Sequence, residues 1–311
     1  MRRAALLVAI LLAWSLGSTV GSIAGSTPVA SAGILLGKPR VHFAPELPGR
    51  RTITILAVGS DARPGQDPLR TRSDSIHLIF LSPRTGHAVL VGIPRDSWVS
   101  IPGRGSNKIN AALAAGGPSL LVETVERNFG TRIDYWAVAS FWSLEGMVNA
   151  VGGLQVRIPF RMGATFGGDF RPGLRRLAGN RVLAFARERH SVPGGDFGRQ
   201  ENGGRVFLAA LAQFQREYRE DPSRLLTWVG AGMRNLDTNL PVGEVIDLAL
   251  GVTNLRLPRV RNVVFPGGTG SVGGSSVVFL AMSTARRVVA DAEKDGTLSP
   301  GNIPRSPTGH R

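Results

Sequence analysis

The chain has 311 residues, with 37 lysines and arginines against 22 aspartates and glutamates, which gives a formal net charge of +15. It has no cysteine, which excludes disulfides, thiol nucleophiles and thiolate metal sites, so a bound metal would need oxygen or imidazole ligands. The positive charge favours an anionic partner, and phosphate groups, an anionic membrane, an acidic wall polymer and nucleic acid all satisfy it.

The first 24 residues predict a membrane anchor. Arg2 and Arg3 precede an uncharged run from Ala4 to Ala24, which is long enough to cross the roughly 30 Å hydrocarbon layer as one helix. By the positive-inside rule, we expect a single-pass protein of the cell membrane whose remaining chain is extracytoplasmic. A cleaved signal peptide is the alternative, because residues 30–32 read Ala-Ser-Ala. Export in either form disfavours nucleic acid as a partner.

The composition divides the rest of the chain into three parts. Residues 25–50 contain four prolines and no sustained period, which predicts an extracytoplasmic linker. Residues 51–296 alternate apolar runs with turn signals and form the expected folded domain. Residues 297–311 are rich in Pro, Gly, Ser and Thr, which predicts a disordered tail.

Within the folded domain, β-branched and apolar runs alternate with segments of helical period, so we expect a mixed α/β fold. The predicted strands are 52–58, 74–81, 88–93, 133–139, 154–158, 260–265 and 276–280. The predicted helices are 109–115, 118–129, 144–150, 178–186, 205–219, 223–233, 242–250 and 284–292.

Charged residues concentrate where predicted strands begin and end. If the first three strands pair as an antiparallel meander, the end of the first, the start of the second and the end of the third share one sheet edge. Asp61, Arg63, Asp74, Arg95 and Asp96 would then cluster there. For any single pair of these charged residues, the alternative is a surface salt bridge without a functional role, worth ~0–1 kcal/mol.

Such a cluster suits phosphate chemistry. Asp61 and Asp74 would repel each other unless a cation or arginines lie between them. Mg²⁺, or Mn²⁺ in its place, accepts one or two carboxylates and completes its shell with water and phosphate. Arginine forks bind phosphate oxygens in bidentate fashion and stay charged. Lys108, where a helix is predicted to begin, either reaches a phosphate or is merely solvated.

Arg187 and Arg189 can hold one ligand only if the preceding helix ends near Arg187, because residues two apart share a face in extended chain and not in a helix. The segment Ser191–Gly195 predicts a break that returns Asp196 and Arg199 to the same site. A basic helix end stabilised by the helix dipole is the alternative.

Six segments, in this order and spacing, resemble the LytR-CpsA-Psr family of cell-wall polymer ligases: GSDAR, RSDSI, IPRDSW, NKINAA, AFARERH and GDFGRQEN. The resemblance implies a three-layer α/β/α sandwich with a mixed central sheet, preceded by one N-terminal transmembrane helix. It also implies a long apolar pocket for a polyprenyl chain and an arginine-rich mouth for its pyrophosphate.

Carried over by motif, the resemblance assigns the site residues. Asp61 and Asp74 would bind the metal, and Asp61, Asp74, Arg95 and Asp196 would be catalytic. The expected pyrophosphate-binding residues are Arg63, Arg95, Lys108, Arg187, Arg189, Arg199 and Gln200. Relatives usually continue the last motif with Gln, whereas this chain has Gly203, which puts substrate choice in question more than reaction type.

The implied reaction transfers a phosphoglycan from a polyprenyl pyrophosphate carrier to a peptidoglycan hydroxyl, with positioning and electrostatics supplying the catalysis. The expected partners are the lipid-linked glycan, the peptidoglycan acceptor and the membrane. Hydrolysis of the same lipid pyrophosphate is one alternative, and a non-catalytic polyprenyl-lipid binding module is another.

Overall fold

The structure, a computed structural model, describes residues 52–163 and 169–309. The expected membrane anchor (1–24) and linker (25–50) lie outside these residues. Within the described part of the chain, no helix is both long enough and apolar enough to cross a membrane.

Helices and strands alternate along the domain, as the sequence predicts. In chain order the elements are β1 (Ile53–Ser60), β2 (Ser73–Ser82), β3 (His87–Gly92), β4 (Trp98–Ile101), β5 (Gly105–Lys108), α1 (Ala111–Phe129), β6 (Tyr135–Ser140), α2 (Phe141–Ala150), β7 (Leu154–Ile158), β8 (Gly173–Leu177), α3 (Gly179–Arg187), α4 (Asp196–Glu220), α5 (Arg224–Asn235), β9 (Asp237–Thr238), α6 (Val242–Val252), β10 (Val260–Val264), β11 (Gly267–Val272), β12 (Ser275–Leu280) and α7 (Met282–Asp295).

A six-stranded sheet with the order β10-β3-β2-β1-β6-β9 forms the centre of the domain. Strands β1, β2 and β3 pair as the predicted antiparallel meander. Strand β6 runs parallel to β1, and β10 runs parallel to β3. The expectation of a mixed α/β fold with a mixed central sheet is therefore confirmed.

Helices cover both faces of this sheet because the strands are apolar on both sides. Ile76 and Phe80 of β2 belong to a buried cluster that includes residues of α1 and α7. Leu81, one position further along β2, belongs to a second cluster on the opposite face, with residues of α4 and α6 packed against it. Burial of each such side chain stabilises the fold by roughly 1.5–3 kcal/mol.

Five strands were not predicted from the sequence: β4, β5, β8, β9 and β11. Two helix predictions also differ markedly from the structure. The helices expected at 109–115 and 118–129 form one helical stretch, α1, with a kink at Gly117, where φ is 69°. The helix expected to begin near Arg205 begins at Asp196, nine residues earlier, so residues 196–202 of the last motif lie on its first turns.

Residues 297–309 belong to the segment for which the sequence predicts a disordered tail. They include a short 3-10 helix, Pro300–Asn302, and the buried Thr308, whose hydroxyl donates to Glu201 Oε2 at 2.9 Å. Polar tertiary contacts thus join this segment to the helix that carries Glu201.

Candidate active site

The meander brings the charged loops to one edge of the sheet. The Asp61 amide donates to the Arg72 carbonyl at 3.0 Å, and the Ile93 amide donates to the Ile76 carbonyl at 2.9 Å, which fixes the loops at the ends of β1, β2 and β3. A polar cavity of about 380 Å³ opens at this edge. Its lining comprises Asp61, Arg72, Asp74, Arg95, Asp96, Lys108, Asn110, Arg189 and Ser276.

Ion pairs connect several groups in the wall of this polar cavity. Arg95 forms an ion pair with Asp74, and its Nε lies 3.8 Å from an oxygen of Asp96. Lys108 Nζ lies 3.1 Å from the other Asp96 oxygen. Burial alone would lower the pKa of Arg95, but the carboxylates of Asp74, Asp96 and Asp196 outweigh it and raise that pKa above its ordinary value.

Three other charged side chains in the wall, Asp61, Arg72 and Arg189, have no hydrogen bond or ion pair within residues 52–163 and 169–309. Among the described residues, the cavity therefore offers one carboxylate and two guanidinium groups that are available to a ligand. This combination suits a phosphate group accompanied by a cation.

An apolar cavity of about 370 Å³ lies between the sheet and the helices α2 to α5. Small residues create this space: Ala57 and Gly59 of β1 pair in register with Ala137 and Ala139 of β6, so the sheet presents almost no side-chain volume there. Apolar side chains of the helices form the opposite wall, among them Leu144, Leu183, Val206, Phe207 and Trp228.

The two cavities meet at Asp74, which lines both. Ser75, Arg187 and Arg199 also line the apolar cavity, so its otherwise apolar wall has a charged end. An elongated ligand with an apolar tail and an anionic head would therefore find matching surroundings along its length.

Arg187 and Arg189 lie on either side of this junction. Helix α3 ends at Arg187, as predicted, and Glu188 is extended with φ −66° and ψ 125°. The Arg187 guanidinium lies over the Phe141 ring, 4.4 Å from its centroid, and lines the apolar cavity, whereas Arg189 lines the polar cavity. The two arginines thus face adjacent cavities rather than a single one.

Asp196 and Arg199, on the first turns of α4, form a buried ion pair with side chains 14% and 6% exposed. Asp196 Oδ2 also accepts the backbone N–H of Arg95 at 3.2 Å. Burial raises the pKa of Asp196, with a further contribution from the Asp96 carboxylate, although Arg199 opposes it. Burial lowers the pKa of Arg199. Asp196 is absent from the linings of both cavities, and its contacts hold Arg199 and the loop of Arg95 together.

Two expected ligand-binding residues are not brought into either cavity. Arg63 is exposed, and its backbone N–H donates to Gln66 Oε1 at 2.8 Å. Gln200 is buried, and within the described residues its side-chain amide has no hydrogen-bond partner. Its main-chain carbonyl accepts a hydrogen bond from His77 Nε2 at 3.0 Å.

His77 explains why a glycine can follow the last motif. A Cβ at Gly203 would lie 2.7 Å from His77 Cε1, so the imidazole occupies the space that a side chain at this position would need. Because Nε2 donates to the Gln200 carbonyl, Nδ1 is left to accept from the Ser75 hydroxyl, 3.2 Å away. Burial lowers the pKa of His77 to about 4, so the ring is neutral at pH 7.

Arg72, Asn110 and Ser276 line the polar cavity, although none of them was among the predicted site residues. Arg72 and Asn110 lie within the segments RSDSI and NKINAA, so their position was a usable signal. Ser276 comes from the β11–β12 hairpin, far along the chain, and no local pattern indicates it.

The residues fit a hard cation of the Mg²⁺ type. Within the described ranges, no group of three or more His, Asp and Glu side chains could hold a metal ion, so a complete protein cage is absent there. Mg²⁺ commonly uses one or two carboxylates and takes its remaining ligands from water and substrate phosphate. Asp61 and Asp74 on the wall of one cavity, with Asp61 unpaired, satisfy that pattern.

Comparison with known proteins agrees with the fold and the motifs. The model of the LytR_cpsA_psr family matches residues 37–294, and the chain belongs to this family. It is 34% identical over 219 residues to the polyisoprenyl-teichoic acid–peptidoglycan teichoic acid transferase TagU of Bacillus mycoides, covering 69% of each chain. It is 36% identical over 149 residues to the regulatory protein MsrR of Staphylococcus aureus, covering 47% of this chain and 44% of that protein.

Solved structures resemble the domain as well. The crystal structure of B. subtilis TagV has a TM-score of 0.67 at 25% identity, covering 80% of this chain and 99% of that one. The structure described as TagT bound to LI-WTA has a TM-score of 0.66 at 26% identity, covering 83% of this chain and 94% of that one.

Proposed function

We propose that this protein is a cell-wall polymer transferase that moves a phosphoglycan from a polyprenyl pyrophosphate carrier to a hydroxyl of peptidoglycan, at the outer face of the cell membrane. The observation that carries this proposal is the junction of an apolar cavity and a charged cavity at Asp74. The TagU relative is a polyisoprenyl-teichoic acid–peptidoglycan teichoic acid transferase, which supports the same class of reaction.

The apolar cavity is proposed to bind the polyprenyl chain. Its walls are formed by alanine, leucine, valine and aromatic side chains, and removal of a hydrocarbon chain from water is favourable in proportion to the area buried. The charged end formed by Arg187 and Arg199 then places the pyrophosphate at the mouth of the polar cavity.

The polar cavity is proposed to hold the pyrophosphate and its metal. Arg72 and Arg189, which lack protein partners within the described residues, donate paired N–H groups to phosphate oxygens. Arg95 is held in place by Asp74 and adds positive charge close to the reacting phosphorus. When bound by Asp61 and Asp74, Mg²⁺ or Mn²⁺ neutralises phosphate charge and stabilises the transition state.

The reaction that follows is an in-line displacement. The acceptor hydroxyl attacks the glycan-side phosphorus and loses its proton to water, the bond to the bridging oxygen breaks, and the lipid phosphate leaves. Asp196 acts as a positioning residue, because its carboxylate is occupied by Arg199 and by the Arg95 backbone. Catalysis then depends on orientation and on fixed charges rather than on a covalent intermediate.

Hydrolysis of the lipid pyrophosphate and simple lipid binding are the competing functions. Hydrolysis would use the same groups with water in place of the sugar hydroxyl. A binding module needs the apolar cavity and the arginines but gains nothing from an unpaired carboxylate at Asp61, whose presence on the cavity wall favours catalysis.

The test combines lipid identification with a transfer assay. Lipid extracted from the purified protein is identified by mass spectrometry, and transfer from a short-chain polyprenyl pyrophosphate glycan to peptidoglycan fragments is measured with Mg²⁺ and with chelator. Asp61→Asn removes a proposed metal ligand without breaking an ion pair and should lower the rate at least ~100-fold, the upper end of the loss seen when a group supporting a metal is removed.

Asp67→Asn is the matched control, because Asp67 is an exposed carboxylate that caps residues 68–70 through Leu69 N and an amide can keep that bond. It should retain wild-type transfer. Release of free glycan phosphate without a peptidoglycan product would favour the hydrolase. A protein that yields no polyprenyl lipid and no product would refute the proposal.

A further inference from the structure

The segment 304–309 contacts the start of α4. It lies beyond residues 37–294, which the family model matches. Pro307 packs against Gly194, with its Cβ 3.2 Å from where a Cβ of that glycine would stand. The methyl group of Thr308 lies 3.4 Å from the equivalent point of Gly198. The segment therefore rests directly on the start of α4.

A buried carboxylate joins this segment to the helix. Glu201 is 4% exposed, and its oxygens accept from Ser306 Oγ at 2.9 and 3.0 Å and from Thr308 Oγ1 at 2.9 Å. The Thr308 amide adds a contact of 3.3 Å, and the Arg205 guanidinium donates to the same carboxylate at 2.8 Å. Burying a carboxylate without such donors is unfavourable. The hydrogen bonds from the segment and from Arg205 therefore offset the desolvation cost of the Glu201 carboxylate.

The contacts of this segment and those of the active site lie on two different faces of α4. Gly198, Glu201 and Arg205 follow one another at spacings of three and four and form the face beneath the segment. Asp196, Arg199 and the glycine at 203 repeat the same spacing on the face toward the cavities. A shift of the helix at Glu201 would therefore move Asp196 and Arg199.

The N-cap of α4 is Gly195, which provides no side-chain hydrogen bond to the first turn, so the stabilisation that a capping side chain usually gives is missing. On the sheet side, Asn262 Nδ2 donates to the Glu201 carbonyl at 2.9 Å. Contacts with β10 and with the segment 304–309 therefore add to those of Asp196 and Gln200 in holding the first turns.

We infer that residues 304–309 form a strap that fixes the first turns of α4 and so positions Asp196 and Arg199 in the active site. Ser306 and Thr308 are positioning residues that act through Glu201. The stabilisation of the first turns of α4 by the strap is independent of the proposed function. The effect of the strap on transfer rests on the proposed function.

The test is the double variant Ser306→Ala/Thr308→Val in the full chain, which removes both hydroxyl donors and keeps nearly the same side-chain volumes. Amide hydrogen exchange should become at least tenfold faster in residues 196–201 while the strands of the meander keep their protection. Arg305→Ala is the matched control in the same segment, because the Arg305 side chain is exposed, and it should leave exchange unchanged. Thr308→Ser, which keeps a hydroxyl, should restore most of the protection when Ser306 is intact.

Unchanged exchange at 196–201 in the double variant would overturn the inference. Equal loss of protection in the meander would also overturn it, since the segment would then stabilise the whole domain rather than the helix start. Inorganic pyrophosphate binding, measured by calorimetry on the same proteins, should weaken at least fivefold in the double variant. If the wild type binds no pyrophosphate while the exchange result holds, the proposed function fails and the strap stands.

Discussion

His77 makes the stability of the domain depend on pH. The ring is fully buried between β2 and α4, and burial lowers its pKa from 6.5 to about 4, although the hydrogen bond to the Gln200 carbonyl partly opposes this. Between those two values the unfolded chain binds a proton that the folded chain does not, so the free energy of unfolding falls as the pH falls through this window. A difference of about 2.5 pKa units corresponds to roughly 3 kcal/mol between pH 7 and pH 4.

The substitution His77→Gln tests this magnitude, because an amide can still donate to the Gln200 carbonyl but does not titrate. Urea unfolding followed by tryptophan fluorescence at pH 7, 6, 5 and 4 gives the free energy of unfolding of both proteins. The difference between wild type and variant should change by roughly 3 kcal/mol in favour of the variant on acidification. Other titrating groups, including Asp196 with its raised pKa, are common to both proteins and cancel. Two pH profiles that run parallel would refute the reasoning.

Three further predictions concern the site. Gly203→Gln should destabilise the domain, because even its Cβ would meet the His77 ring, and His77→Ala in the same chain should recover part of the loss in a thermal unfolding assay. Arg189→Lys keeps the charge but replaces a planar fork by an ammonium, so transfer should fall by about one to two orders of magnitude, as expected for the loss of one charge-assisted hydrogen bond of roughly 1.5–3 kcal/mol. Arg187→Lys should lose activity as well, since it also gives up the stacking on Phe141.

Each of these predictions has a clear contrary outcome. Additive losses in the Gly203 and His77 variants would show that the two positions do not share one space. Wild-type transfer in the Arg189 or the Arg187 variant would show that this arginine does not bind the pyrophosphate through its planar fork. Arg84→Lys, in the exposed turn between β2 and β3, controls for a general effect of replacing arginine.

The local pattern of the sequence was sufficient to locate the meander and the charged loops at its edge. Strands β1 to β3 are apolar runs separated by turn residues, and the register of a buried strand is set by which residues must avoid water. Antiparallel pairing then brings Asp61, Asp74 and Arg95 to one edge with no further information. The junction between α3 and α4 was also predictable, because the segment Ser191–Gly195 cannot continue a helix.

Contacts between distant segments decided the rest. The helix predicted to begin at Arg205 begins at Asp196, and its glycines at 203 and 204 lie where His77 and Asn262 fill the space that larger side chains would occupy. Arg187 and Arg189 face different cavities, and Arg63 faces neither, since the direction of a side chain at a helix end or in a loop depends on packing. The order of residues 304–309 comes from the buried Glu201, about 100 residues earlier in the chain. The sequence by itself therefore determined the mixed α/β fold, seven of the strands and the chemistry gathered at the sheet edge. Only the tertiary structure decided how the helices hold that chemistry in place, because those contacts join residues that no local pattern relates.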